Sequence, residues 1–168
     1  AEAKKTVQWY QEVFGPDNYY LEIQRHFFKD YFEAAANPKI LDKLQQMQKT
    51  ENAWVSGTVK LSRDMGVPLI ATNAAHYIDQ SDATAQDALV CISTGKTVGD
   101  IDRLRYIDSP TFFVRESSDM ANVFADYPDA VANTVKIAEM CEVELTLGKW
   151  YFPNFELPEG KDAGTALR

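Results

Sequence analysis

The chain has 168 residues, of which 45% are hydrophobic, 12% aromatic and 25% charged, with 8 glycines and 7 prolines. This composition supplies one core and excludes disordered, collagenous and low-complexity architectures. No apolar run approaches the ~20 residues of a membrane-spanning helix. With 17 basic against 25 acidic residues, the net charge of −8 leaves no basic footprint for free-standing nucleic-acid binding.

The N-terminus, Ala1-Glu2-Ala3-Lys4-Lys5, has neither an initiator Met nor the apolar run of a signal peptide. It opens directly into a helical pattern, Val7, Tyr10, Gln11 and Phe14, which Gly15-Pro16-Asp17-Asn18 breaks. Such a start fits a piece of a longer protein and a processed chain equally well. Tyr19 to Gln24 alternates, with Tyr19, Leu21 and Ile23 on one face, and predicts a strand ending at Arg25-His26. Asp30 to Gln48 is predicted mostly helical but divided at Asn37-Pro38, because proline disfavours helix in the residue before it. Asn52 to Met65 predicts a further helix, weakened at Gly57 and stopped at Gly66.

Val67 to Thr72 is a nearly continuous apolar run, the pattern of a parallel strand covered on both faces. Asn73-Ala74-Ala75-His76-Tyr77 comes next. Asp82 to Ser93 predicts an amphipathic helix with Ala85, Ala88, Leu89 and Ile92 as its apolar side. Thr111 to Val114 is a third strand candidate. Ser117 or Ser118 is placed to cap a helix carrying Asp119 in its first turn. Pro128 opens the last helix, with Val131, Val135, Ala138 and Cys141 as its expected buried stripe. Strands alternating with helices predict an α/β fold.

In parallel α/β architectures, ligands bind at the C-terminal edge of the strands. Both histidines fall there, His26 after the first strand and His76 after the second, and Glu22 lies on the strand face opposite Leu21 and Ile23. Two imidazoles with a carboxylate suit a divalent metal, though they are too few for a polynuclear site. The same pattern fits surface or hydrogen-bonded structural histidines. Thr94-Gly95-Lys96-Thr97 is not a phosphate loop: Val90 stands where the first glycine is needed, and the segment ends a helix rather than opening one. Lys96, Arg103 and Arg105 lie among Asp100, Asp102 and Asp108, which reads as a solvated mixed-charge loop. Cys91 and Cys141 lack zinc spacing, cannot staple a chain of this size, and are expected as buried thiols in a reducing, cytoplasmic setting. Trp150-Tyr151-Phe152-Pro153-Asn154-Phe155 carries four aromatics that need something to pack on, either this domain's own edge or a neighbour.

Taken in order, these segments resemble the bacterial replicative DNA polymerase III alpha subunit, specifically the C-terminal part of its PHP (polymerase and histidinol phosphatase) domain. The resemblance is carried by Tyr20-Leu21-Glu22-Ile23-Gln24-Arg25-His26 and by Val67 to Asn73 with His76-Tyr77. Asp87 to Ile92 with Thr94-Gly95-Lys96-Thr97, Arg103 to Tyr106, Phe112 to Met120 and Asn133 to Leu145 continue it, and Phe152-Pro153-Asn154-Phe155 with Pro158-Glu159-Gly160 resembles the link into the polymerase palm.

The resemblance implies a partial (β/α)7-type barrel over residues 1–148 and a link toward the palm over 149–168. It implies that His26 and His76 correspond to metal-ligand histidines and Glu22 to an acid near them, for zinc or manganese. The family's opening His-x-His motif is absent from this sequence, the aspartate of its Asp-x-His motif is Ala74 here, Gln86 stands where many relatives have His, and Phe27 replaces a usual glycine. These departures imply a degenerate metal site, weak or empty, in a part that supports the polymerase and contacts partners. The parent enzyme would use magnesium for DNA synthesis. The implied partners are the rest of the alpha subunit, a proofreading exonuclease subunit, a sliding clamp, and DNA through the parent protein. A metal-dependent phosphoesterase or 3′–5′ exonuclease, and an acidic α/β binding module without catalysis, are the alternatives.

Overall fold

A computed structural model describes residues 2–152, 156–157, 159–160 and 162–166. The elements run α1 (Glu2–Phe14), β1 (Leu21–Gln24), α2 (Pro38–Met65), β2 (Leu69–Thr72), α3 (Ala83–Thr94), α4 (Ser117–Val123), α5 (Pro128–Met140) and α6 (Ala163–Ala166), with short 3-10 turns between several of them. β1 and β2 pair in parallel, from Leu21 opposite Leu69 to Gln24 opposite Thr72. The class is therefore α/β, and the sheet among the described residues has two strands. The third expected strand is reduced to a single parallel bridge between Tyr77 and Phe113, so no barrel arc forms among the described residues.

Period-two alternation puts Ile23 and its register partner Ala71 on one side of the sheet. That side is sealed by Val55 and Val59 of α2, Phe124 after α4, and Ala130 of α5. The other side carries Glu22, Gln24, Ile70 and Thr72, all exposed or half-buried. β2 is thus covered on one face, not both, and that half-open face is where the candidate site begins.

The expected break at Asn37-Pro38 is where α2 begins, and the two helices expected on either side of residues 49–51 are joined in it. α2 is one continuous helix of 28 residues. Asn37 caps it by accepting the Lys39 amide at 2.9 Å, and Pro38 occupies the first turn, where its missing N–H has no helical partner to lose. Residues 30–36 upstream form a 3-10 turn and irregular chain instead of helix. Gly66, left-handed at φ 67, ends α2 as expected. Gly57 does not interrupt it, and a Cβ added there would meet nothing within 4 Å. Gly57→Ala is expected to stabilise the fold by about 0.5–1 kcal/mol through helix propensity, measured as a shifted urea midpoint at unchanged slope.

Three side-chain expectations are corrected. In α3 the buried residues are Ala83, Asp87, Val90 and Cys91, while Ala85, Ala88, Leu89 and Ile92 all face outward. Of the stripe expected in α5, Val131 packs against the core beside buried Ala130 and Asn133, while Val135, Ala138 and Cys141 are exposed. Asn133 is drawn inward because its amide donates to the Leu69 carbonyl at 2.8 Å, fixing α5 to β2. At α4, Glu116 takes the cap position without a side-chain bond, and neither serine caps the helix.

The basic loop also differs from a solvated one. Arg103 is buried against Asp87 in a bidentate pair at 2.7 and 2.6 Å, and it further donates to the carbonyls of Thr97, Val98 and Leu104. Arg105 pairs with Asp108 at 2.7 Å. At the C-terminal end, Trp150, Tyr151 and Phe152 are exposed rather than packed on the domain's edge. Residues 153–155, 158, 161 and 167–168 of the expected palm link lie outside the described residues.

Candidate functional site

The strand ends of β1 and β2 converge on one aromatic cluster. After Gln24 the chain turns sharply: Phe27 adopts φ 50, ψ 52, a left-handed conformation that costs a non-glycine residue about 1 kcal/mol or more. The turn is held by Glu51 of α2, whose carboxylate accepts the backbone N–H of His26 at 2.5 Å and of Phe27 at 3.3 Å. Gln48 donates to the same carboxylate at 3.1 Å. Glu51 is buried and belongs to the same inward stripe as Leu44, Val55 and Val59. Motif reasoning passes over Glu51, and the signal that marks it is a glutamate within an apolar helical stripe.

The second strand end is organised by Asn73. Its amide donates to the carbonyls of Thr111 and Phe113, at 3.2 and 2.7 Å, and the His76 amide donates to the Phe112 carbonyl at 2.7 Å. Segment 111–113 is thereby clamped beside the end of β2 by the Asn73 side chain together with a few backbone bonds to His76 and Tyr77, without a continuous ladder. This brings Phe112 between the two histidines. The His26 ring stacks on Phe112 at 4.1 Å and lies 5.5 Å from Phe28. The His76 ring meets Phe112 edge-on at 5.9 Å and lies 4.5 Å from Tyr106.

Though both touch Phe112, the histidines differ in state. His26 is buried, and its Nδ1 is 3.0 Å from the Thr111 hydroxyl. Burial above all, then the positive charges of Arg115 and His76, lower its pKa from 6.5 to about 4. His26 therefore stays neutral in the fold while the unfolded chain takes up a proton below about pH 6.5. Its contribution to stability is complete above that pH and is lost as pH falls toward 4. The expected loss is of order 2–3 kcal/mol, and urea titrations of the parent and His26→Gln at pH 7.5 and 4.5 measure it. The gap between the two proteins should narrow at the lower pH. His76 is exposed, and its Nδ1 lies 2.7 Å from the Ala74 carbonyl. A carbonyl only accepts, so Nδ1 carries a proton, and in the neutral ring Nε2 is the bare nitrogen.

Glu22 sits on the half-open sheet face, where it accepts from Gln24 at 3.2 Å and from the Thr72 hydroxyl. With His26, Phe28, Met47, Trp54 and Phe112 it lines a cleft of about 490 Å³. The structure therefore joins Glu22 to His26 through the cleft and His26 to His76 through Phe112. It does not gather the three as one ligand set: among the described residues no three His, Cys, Asp or Glu side chains are placed to hold a metal ion. Ala74 packs its methyl group against the aromatic cluster, where an acid would have supplied an oxygen donor. As placed among the described residues, Glu22, His26 and His76 do not converge as a zinc or manganese ligand set.

No protein-family model matches the chain. It is 37% identical over 158 residues, 94% of its length, to the DNA polymerase III subunit alpha of Borreliella burgdorferi. It is 32% identical over 94% of its length to the subunit of that name in Treponema pallidum, and 31% identical over 100% of its length to that of Pseudomonas aeruginosa. Along nearly its whole length the chain is thus similar to one segment of DNA polymerase III alpha subunits, and it spans about 12% of the length of these curated relatives.

Proposed function

We propose that the chain is a segment of a replicative DNA polymerase III alpha subunit, a DNA-directed DNA polymerase, and that it serves that enzyme as a structural and partner-contacting part. The observation that carries this reading is similarity at 31–37% identity along almost the entire chain to subunits of that one name. Residues 1–148 then form the C-terminal part of the PHP domain and 149–168 the link toward the palm. The nucleotidyl-transfer groups and their magnesium belong to other parts of the polypeptide, as do the contacts to DNA and the sliding clamp. A proofreading exonuclease subunit is the partner that best suits a PHP part without its own nuclease.

The chemistry of the site supports a non-catalytic role. His26 is enclosed by two phenylalanines with one nitrogen bonded to Thr111, Glu22 is engaged by Gln24 and Thr72, and Ala74 offers no donor. His76 favours the phosphoesterase reading instead, because it directs its Nδ1–H to a backbone carbonyl, the arrangement that orients a ligating imidazole. The complete polypeptide decides between them. DNA synthesis with no stoichiometric zinc or manganese by elemental analysis, and no 3′–5′ exonuclease activity after addition of Mn²⁺, is the expected result. Bound metal in a 1:1 ratio or above, with a melting temperature lowered by chelator, would overturn the degenerate-site reading.

A further inference from the structure

We infer that the outward face of α3, formed by Ala85, Ala88, Leu89 and Ile92, is an interface covered by an apolar face of another domain of the same polypeptide. The inference rests on the reading of the chain as a segment of a longer subunit. Leu89 and Ile92 are 59% and 78% exposed. The four residues fall at i, i+3, i+4 and i+7, the spacing of a helical contact seam, and the two alanines leave room for close approach of a neighbouring element. The one charged side chain in Ala83–Thr94 is Asp87, and it is buried against Arg103 on the inner side. α3 therefore presents no charge to solvent along its whole length, in a chain that is 25% charged. A helix that buries its one charge on the core side and turns an apolar stripe outward has the pattern of a helix buried on both sides.

The occupant follows from charge and connectivity. Two copies of a chain of net charge −8 repel at long range, and an uncharged face supplies no ion pairs to steer them together. A domain tethered in the same polypeptide arrives at millimolar effective concentration and needs no charge steering. Most of the length of the similar alpha subunits lies outside the matched segment, so tethered domains are available.

The test is thiol labelling of the complete polypeptide, carrying Leu89→Cys or Ile92→Cys in a background whose other accessible cysteines are serine. Lys60→Cys serves as the exposed reference, since the Lys60 side chain is 76% exposed on α2. Labelling at 89 and 92 is expected to be at least about tenfold slower than at 60, because only an accessible thiol reacts. Equal rates at all three positions would overturn the interface. Protection that disappears on dilution, together with a monomer–dimer transition in sedimentation, would overturn the same-chain occupant in favour of a second copy. A DNA synthesis assay on the same preparations separates the two readings. Protected positions in a polypeptide without polymerase activity sink the functional proposal alone, and freely labelled positions in an active polymerase sink the interface alone.

Discussion

Arg103→Ala is expected to cost about 3–5 kcal/mol of stability, the range for removing one member of a buried ion pair. Arg103 and Asp87 are both nearly inaccessible, at 1% and 5% side-chain exposure. Truncating the arginine strands the Asp87 carboxylate on the inner side of α3 and releases three backbone carbonyls that the guanidinium satisfies. Arg103→Lys should lose a large part of this, since an ammonium cannot reproduce the two-pronged bond. The double variant Asp87→Leu/Arg103→Met is the informative control: an uncharged pair of similar volume should recover most of the loss, because no charge is then left unpaired. Chemical denaturation of the four proteins measures the effect. If Arg103→Ala alone shifts stability by less than about 1 kcal/mol, the pair behaves as a surface one and its burial is wrong.

The second large effect is expected at Phe112, which touches both histidines, Phe28 and Tyr106. Phe112→Ala should cost about 3–5 kcal/mol from lost burial and cavity formation. It should also open the His26 ring to water, moving its imidazole back toward the ordinary histidine range, whereas Phe112→Leu should keep it neutral at a smaller cost. NMR titration of the His26 ring protons in both variants reads this directly. An unchanged titration in Phe112→Ala would mean that Phe112 does not shield the ring.

The features legible in the sequence are those encoded locally. Gly66, Gly95 and Pro128 mark helix ends through their own backbone preferences, and all three do so in the structure. β1 and β2 follow from alternation and from an apolar run, and the position of both histidines at strand ends follows with them. Pro38 marks a real boundary, but it opens a helix there rather than dividing one, because Asn37 caps it and residues 30–36 are not helical. The face of α3 is reversed, and that of α5 rotated away from Val135, Ala138 and Cys141, for a different reason. In each, a polar residue is pulled inward by a partner distant in sequence, Arg103 for Asp87 and the Leu69 carbonyl for Asn133. Apolar periodicity carries no information about such partners. The site shows the same division: the location of His26 is legible, but its enclosure depends on Glu51, Asn73 and Phe112, which reach it only through tertiary structure.

The pairing of β1 with β2 also sets how the chain reaches its native state. Gln24 and Thr72 meet across 48 positions, and most of that interval is the 28-residue helix α2. The entropy of closing so long a loop must be met before the first strand contact forms. A helix completed early shortens the search by fixing the separation of the strand ends, since helices form in microseconds or less. Refolding should therefore be limited by sheet closure, with α2 structured in the transition state. Substitutions on the solvent side of α2 that raise its helicity would then accelerate refolding and leave the unfolding rate nearly unchanged.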